Sequence, residues 1–223
     1  MKKTQGFTLV EIAIVLVIIG LLLGGILKGQ EMITQAKIKN VIADFSGISA
    51  AYHGYQDRYR SLPGDDPQAA TRWAGAAVSA TAGEPGNGKV QGAWNSQVAG
   101  DESRLWWDHL RRAGFVAGSG TQQPFNSVAG MIGVQTGDTL GGAIFGGFSG
   151  LIMCSANLPD KIATATDTQM DDGLPATGTV RGLLQASPNP NLLAGTVSTP
   201  NPPAAGGGYI ESGTNVYVLC RSL

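Results

Sequence analysis

The chain has 223 residues, which is enough for one membrane-anchor helix and one globular domain of ordinary size. Its formal net charge is −1 and no basic stripe runs along it, so nucleic-acid binding has no electrostatic basis. Charged residues make up only 14% of the chain, and the glycine-rich segments 124–154 and 173–210 contain one charged residue each. These segments have two open interpretations: a low-complexity secreted surface, or a face that packs against neighbouring chains.

Residues 7–27 are almost entirely apolar and contain a single charged residue, Glu11. A helix rising about 1.5 Å per residue makes this run roughly 31 Å long, close to the hydrocarbon thickness of a bilayer. A carboxylate in that setting costs on the order of 2.5–3.5 kcal/mol, and the run contains no Lys, Arg or His to offset it. A cation must therefore come from elsewhere. If the chain were cut after Gly6, the new amine of Phe7 would lie one helical turn from Glu11.

The residues around this acid also form a motif. Lys2 and Lys3 are followed by Gly6-Phe7-Thr8-Leu9-Val10-Glu11 and then by the apolar run. This arrangement resembles the processing site of type IV prepilins and of the pseudopilins of type II secretion. The resemblance is strong over about the first 35 residues, with Gly20 also matching, and weak beyond them. One position departs from the pattern, since Lys28 stands where many major pilins have a helix-softening proline.

The resemblance implies a division of the chain into four parts. Residues 1–6 would be a leader peptide and residues 7–27 a transmembrane and assembly helix. Residues 28–60 would be an amphipathic continuation of that helix, and residues 61–223 a periplasmic globular head. The protein would reside in the bacterial inner membrane, with a single pass, before it enters a pilus or pseudopilus.

The resemblance also implies roles for individual residues. A prepilin peptidase would cleave after Gly6 and methylate Phe7, and an assembly platform with its ATPase would then move the subunit into a filament of pilin or pseudopilin subunits. In that filament Glu11 would meet the Phe7 amine of a neighbouring subunit. Gly20 and Gly24 form a small-residue pair that would let helices approach closely.

Two other N-terminal signals share such an apolar run. A secretory signal peptide is cut after its apolar region at small residues, and Leu27-Lys28-Gly29-Gln30 offers no such site. An ordinary signal anchor explains Lys2 and Lys3, which hold the N-terminus in the cytoplasm, but it does not explain Glu11. The prepilin interpretation is therefore preferred.

Residues 30–59 are predicted to continue the helix. Apolar side chains recur there at steps of three and four, which forms one stripe. The stripe consists of Ile38, Val41, Phe45, Ile48, Tyr52, Tyr55 and Tyr59. A coiled-coil seam has the same spacing, whereas the resemblance implies packing against the chain's own head. The helix is predicted to end between Arg60 and Pro63, because proline disfavours helical geometry at the residue before it.

Two pairs of adjacent acids lie in turn-like sequence. Asp65 and Asp66 belong to the segment 61–67, which resembles a loop common in minor pilin-like proteins, and Asp171-Asp172 precedes a glycine. Carboxylates are calcium ligands, but neither pair has the alternating acids of the usual linear calcium loop. We interpret both as turns and predict no metal site and no cofactor.

The head contains one helical pattern with clear boundaries. Residues 101–115 are predicted to form a helix, with Asp101 and Ser103 as candidate caps and Gly114 as its stop. Its adjacent tryptophans, Trp106 and Trp107, suggest a sugar-stacking platform or core packing. Core packing is preferred, with one indole buried and the other half-covered.

The rest of the head is predicted to be mainly strands. The predicted strands cover residues 131–134, 143–154, 177–185 and 215–221, with a short helix over residues 160–170. A long N-terminal helix packed on a mainly antiparallel β-sheet head is an α+β arrangement of pilin-like type.

Cys154 and Cys220 are the only cysteines. In an exported domain such a pair favours a disulfide over a metal site. The bond would join the C-terminal strand to the sheet, as a C-terminal disulfide does in many pilins. The alternative is a pair of free buried thiols.

No group of residues supports catalysis. His53 and His109 have no cysteine at ligand spacing, no serine lies in a Gly-x-Ser-x-Gly setting, and no phosphate-binding glycine loop precedes a helix. The chain is therefore not predicted to be an enzyme.

The preferred function is that of a structural subunit, most consistent with a minor one. Three features favour a minor subunit: Lys28 in place of proline, a head of roughly 160 residues, and the loop at residues 61–67. The competing case is a major pilin whose low-charge face packs against its neighbours. The alternative class is a monomeric, inner-membrane-anchored periplasmic binding or sensing protein, whose mature N-terminus would be Met1 or Lys2.

Overall fold

The computed structural model describes residues 8–75, 85–137, 148–185 and 207–223. Its elements in chain order are α1 (Leu9–Tyr59), α2 (Ala69–Arg72), α3 (Glu102–Arg112), β1 (Ile132–Thr136), β2 (Leu151–Pro159), α4 (Asp160–Met170), β3 (Val180–Leu184) and β4 (Val216–Ser222). The chain divides into two compact units, one ending at Lys37 and the other beginning at Ile38. The architecture is α+β, which confirms the predicted fold class.

The C-terminal part of α1 supplies a large share of the head's core. Five residues of the predicted stripe are buried, namely Ile38, Val41, Phe45, Tyr52 and Tyr55, and the other two are partly buried. The stripe therefore packs within the chain's own head, as the resemblance implied. The helix ends at Tyr59, where Arg60 turns to a positive φ of 56°. That end lies one residue before the predicted window.

The segment after α1 is fixed against α3 at a glycine. Gly64 has a φ of +85°, and a Cβ atom there would clash with the backbone carbonyl oxygen of Glu102. Its N–H donates a hydrogen bond of 2.9 Å to Nδ1 of His109, which is fully buried. Only glycine allows this approach, because it lacks Cβ and tolerates positive φ.

The two acids that follow Gly64 are buried and hold separate segments. Asp65 accepts hydrogen bonds from the backbone N–H groups of residues 86–88. Asp66 accepts a bond of 2.6 Å from the hydroxyl of Tyr55 and forms an ion pair with Arg72. Burial raises the pKa of Tyr55 above its ordinary value, so this hydroxyl remains a donor. The interpretation of this pair of acids as part of a turn is confirmed.

The four strands form one antiparallel sheet in the order β1-β2-β4-β3. Its side chains alternate between two apolar clusters, as the two-residue period of a strand requires. Met153, Tyr217 and Leu219 belong to the cluster that contains the α1 stripe. The cluster that includes Ile152, Cys154, Val218 and Cys220 lies on the other face.

The predicted disulfide is present in this second cluster. Cys154 and Cys220 lie opposite each other in the β2–β4 register, and a disulfide joins them across a separation of 66 residues. Both are fully buried. The bond thus ties the C-terminal strand to the middle of the sheet.

The predicted boundaries of β2 are wrong at its C-terminal end. The strand continues to Pro159, five residues beyond the predicted end at Cys154. Asn157 adopts a φ of 58°, and the register shifts between Ser155 and Leu158. A β-bulge therefore accommodates Asn157, because asparagine is unfavourable in a regular strand. Residues 143–147 of the predicted strand lie outside the described residues.

Helix α3 is buried more completely than its sequence suggests. Every residue from Glu102 to Leu110 is buried, including both Trp106 and Trp107, so the prediction of one half-covered indole is wrong. Core packing of the two indoles is confirmed. Asp101 occupies the N-cap position but does not cap with its side chain; its carboxylate accepts a bond from the hydroxyl of Ser96. One side of the helix packs into the core cluster that contains the α1 stripe, and loop residues bind Glu102 and Arg104, which a single helical pattern does not reveal.

We expect Gly64→Ala to destabilise the head by about 2–4 kcal/mol, because the methyl group adds a backbone clash to the strain of a positive φ. Gly114→Ala is the matched control: Gly114 has a φ of +82°, and a Cβ there would have nothing within 4 Å. Its expected cost is about 1 kcal/mol. Denaturant unfolding of both full-length variants in detergent measures the difference, and equal losses would contradict the role given to the Glu102 contact.

Candidate assembly segment

The first part of α1 exposes an unbroken apolar surface. Every residue from Thr8 to Lys28 is exposed, and the helix is long and apolar enough to cross a membrane by its length and composition. Exposed apolar surface of this extent marks a site that meets a membrane or another protein. The apolar helix and the motif that precedes it fit membrane anchoring.

A reciprocal cap starts this helix. The carboxylate of Glu11 accepts hydrogen bonds of 2.8 Å from both the backbone N–H and the hydroxyl of Thr8. The backbone N–H of Glu11 in turn donates to the Thr8 hydroxyl oxygen at 3.2 Å. This arrangement is a capping box, in which an N-cap residue and the residue three positions later satisfy each other's backbone groups. The sequence analysis missed it, although the Thr-x-x-Glu signal was present.

The cap orients the carboxylate of Glu11 but does not neutralise it. Both donors belong to Thr8, which carries no charge. Lys28 is the first basic residue after Glu11, and its ammonium group lies 2.7 Å from the carboxylate of Glu31. Within the described part of this segment, the charge of Glu11 therefore has no cationic partner.

The two glycines of the predicted assembly face are unused by the chain itself. A Cβ atom on Gly20 or Gly24 would have nothing within 4 Å. They lie one turn apart on one face, whereas the nine-residue separation from Glu11 to Gly20 turns the helix by about 180°. The acid and the small-residue pair therefore face opposite directions, which suits contacts with different neighbours.

Helix α1 remains regular at Lys28, the position where many major pilins have a proline. The helix is continuous from Leu9 to Tyr59 and passes through Lys28 without a break. The exposed Lys28–Glu31 pair begins its polar part. Gly6 and Phe7, the predicted cleavage and methylation residues, lie outside the described residues, and both roles remain predictions.

Comparison with known proteins agrees with the N-terminal motif. Residues 1–27 match a family model described as the prokaryotic N-terminal methylation motif. Comparisons with curated proteins and with solved structures found no match. The match covers the leader and the apolar run and does not extend to the head. The chain thus carries at its N-terminus the prepilin signal of type IV pilins and pseudopilins.

Proposed function

We propose that this chain is a minor structural subunit of a type IV pilus or a type II secretion pseudopilus. It is cleaved after Gly6, is methylated on Phe7, and assembles through α1. The observation that carries the proposal is the apolar helix of the methylation motif, whose capped acid, Glu11, lacks a cation within its own segment.

The proposed topology follows from the charges that flank the apolar run. Lys2 and Lys3 precede it and favour a cytoplasmic N-terminus, so the head from residue 61 onward lies in the periplasm. The disulfide between Cys154 and Cys220 is consistent with that oxidising compartment. Before assembly, the protein is a single-pass protein of the inner membrane.

The proposed assembly contact neutralises two charges at once. The free amine that cleavage creates on Phe7 is the cation, and the carboxylate of Glu11 in an adjacent subunit is its partner. The cap from Thr8 holds this carboxylate at the start of the helix, where it requires little reordering to bind. Gly20 and Gly24 provide a smooth surface on the opposite side for a second neighbour.

The minor role rests on the bulk of the head and on Lys28. The unit that begins at Ile38 includes two apolar clusters, a four-stranded sheet and the buried α3, which make it large for dense helical packing. Lys28 preserves helical structure where many major subunits have proline. A subunit at or near the filament tip has fewer neighbours and tolerates both features.

We expect Gly6→Val to accumulate as an uncleaved precursor that is heavier by the six leader residues, because the peptidase requires a small residue at the cut. Gly6→Ala is the matched control and should still be processed. Mass spectrometry of the membrane-bound protein measures the N-terminus. A wild-type chain that begins at Met1 would instead support a monomeric membrane-anchored protein with a binding or sensing head.

We expect Glu11→Gln to be cleaved and stable in the membrane yet strongly depleted from filaments, because the amide retains an acceptor for Thr8 but loses the charge. Glu31→Gln, an exposed acid on the same helix, is the control and should assemble normally. Immunoblots of sheared filaments and of membranes compare the two variants. Normal incorporation of Glu11→Gln would refute the assembly role.

The minor-subunit assignment predicts a low copy number. In sheared filaments this chain should be far less abundant than at least one other pilin, as measured by quantitative mass spectrometry with isotope-labelled peptides. A copy number equal to or above that of every other pilin would overturn the assignment and favour the major-pilin case.

A further inference from the structure

Three arginines accompany a pair of aromatic rings at the point where α1 ends. The rings belong to Tyr59 and Trp73, which contact each other edge to face with their centroids 5.4 Å apart. The guanidinium carbon of Arg72 lies 4.7 Å from the centroid of the Tyr59 ring and 5.4 Å from that of Trp73. The guanidinium carbon of Arg58 lies 5.3 Å from the same tyrosine ring, and Arg60 follows Tyr59 directly in the chain. We call Arg58, Arg60 and Arg72 the arginine patch.

The arginine patch carries more positive charge than the chain around it balances. Asp66 is fully buried and forms an ion pair with Arg72. Arg58 and Arg60 are exposed, and neither forms an ion pair with a residue in the described parts of the chain. Asp57 precedes Arg58 on α1, but residues adjacent in a helix do not face each other. Two of the three guanidinium groups therefore remain available to a partner.

The backbone of Arg60 provides a second and independent observation. Its N–H donates a hydrogen bond of 2.8 Å to the carbonyl oxygen of Gln56, and its φ is 56°. Glycine is the usual residue where a helix ends in this conformation, because a Cβ atom makes it unfavourable. Such backbone outliers concentrate at functional sites. An arginine at this position, without an ion pair in the described chain to compensate, indicates a function for its side chain.

The contacts of the arginine patch favour a carboxylate as its ligand. A guanidinium placed over an aromatic ring is held by the cation–π attraction, so it loses less freedom when it binds. Its planar N–H groups match a carboxylate through two parallel hydrogen bonds. The Tyr59 ring supports Arg58 in this way. Arg72 adds positive potential while it stays paired with Asp66.

Nucleic acids and lipids fit the arginine patch less well. Proteins that bind single strands stack the bases on free aromatic faces, whereas Arg58 and Arg72 both lie over the ring of Tyr59. Basic segments that bind anionic lipids have roughly four to eight cations beside the membrane helix, and this group has fewer and belongs to the head unit. Charge complementarity and bidentate geometry therefore favour carboxylates on a protein.

We propose that the arginine patch is a docking site for an acidic segment of a partner protein. Arg58 and Arg60 bind its exposed carboxylates, and the ring of Tyr59 orients Arg58. The site lies in the unit that begins at Ile38, and it uses none of the apolar surface in the first part of α1. It therefore does not rest on filament assembly.

The test measures binding of a fluorescently labelled hexaglutamate peptide to the full-length protein in a neutral detergent, by fluorescence anisotropy. Wild-type protein should bind the peptide saturably, and raising the NaCl concentration from about 50 to about 300 mM should weaken binding several-fold. The double variant Arg58→Gln/Arg60→Gln should weaken binding about tenfold or more. Lys39→Gln/Lys161→Gln removes the same charge from two other exposed positions and should bind as the wild type does. No binding by the wild type, or equal losses in the two double variants, would overturn the proposal.

Two further positions separate an oriented ligand from a diffuse charge. Arg58→Lys keeps the charge but loses the planar pair of donors, so it should weaken peptide binding several-fold. Tyr59→Phe keeps the ring and should bind as the wild type does, whereas Tyr59→Leu should bind more weakly. Because Arg58 is exposed, its variant does not depend on core packing. Binding by Arg58→Lys equal to that of the wild type would exclude the bidentate contact and overturn the site as proposed.

A matched probe tests the class of partner. Labelled hexathymidylate carries a negative charge similar to that of hexaglutamate but presents phosphates and bases in place of carboxylates. It should bind the wild-type protein more weakly than hexaglutamate at the same salt concentration. Tighter binding of the oligonucleotide would contradict a carboxylate partner and favour a nucleic acid.

Discussion

Apolar helical surface that must be covered is the constraint on which the rest of this structure depends. In the C-terminal part of α1 the stripe that contains Phe45 and Tyr55 is covered by the head's own sheet and helices. In the N-terminal part no described residue covers the apolar surface. One continuous helix therefore combines a segment that the chain buries by itself with a segment that requires a membrane or other subunits.

The head is built around the buried part of this helix. Gly64 allows the chain to approach the backbone of α3 directly, and the next two residues, Asp65 and Asp66, bind the 86–88 segment and the Tyr55 hydroxyl. The exit loop thus connects α1, α3 and a distant loop through three consecutive residues. On the opposite face of the sheet, the Cys154–Cys220 disulfide closes the second cluster. These buried contacts fix the fold of the head, although the chain contains few charged residues.

Carboxylates occupy opposite ends of two helices, with opposite consequences. Glu11 lies in the first turn of α1, where the helix dipole and the Thr8 donors favour a negative charge. Asp167, Asp171 and Asp172 lie at the end of α4, where the dipole disfavours it. The first acid is oriented by its own helix, and we propose that a neighbouring subunit supplies its cation. The second group opposes the dipole, and donors from the hydroxyls of Thr177 and Tyr209 and from the backbone of residues 179 and 180 hold it in place.

Local sequence was sufficient to predict a feature wherever the residues that determine it lay within one helix, strand or motif. The motif from Gly6 to Glu11, the end of α1, the bounds of α4 and the C-terminal strand all follow from composition, periodicity and neighbouring breakers. Only the tertiary structure decided the features that join distant residues. The bulge at Asn157 extends β2 past a polar stretch, the core cluster with the α1 stripe buries both Trp106 and Trp107, and Tyr209 reaches Asp167 across 42 residues. These outcomes depend on which segments pack together, and no periodicity within a single segment carries that information.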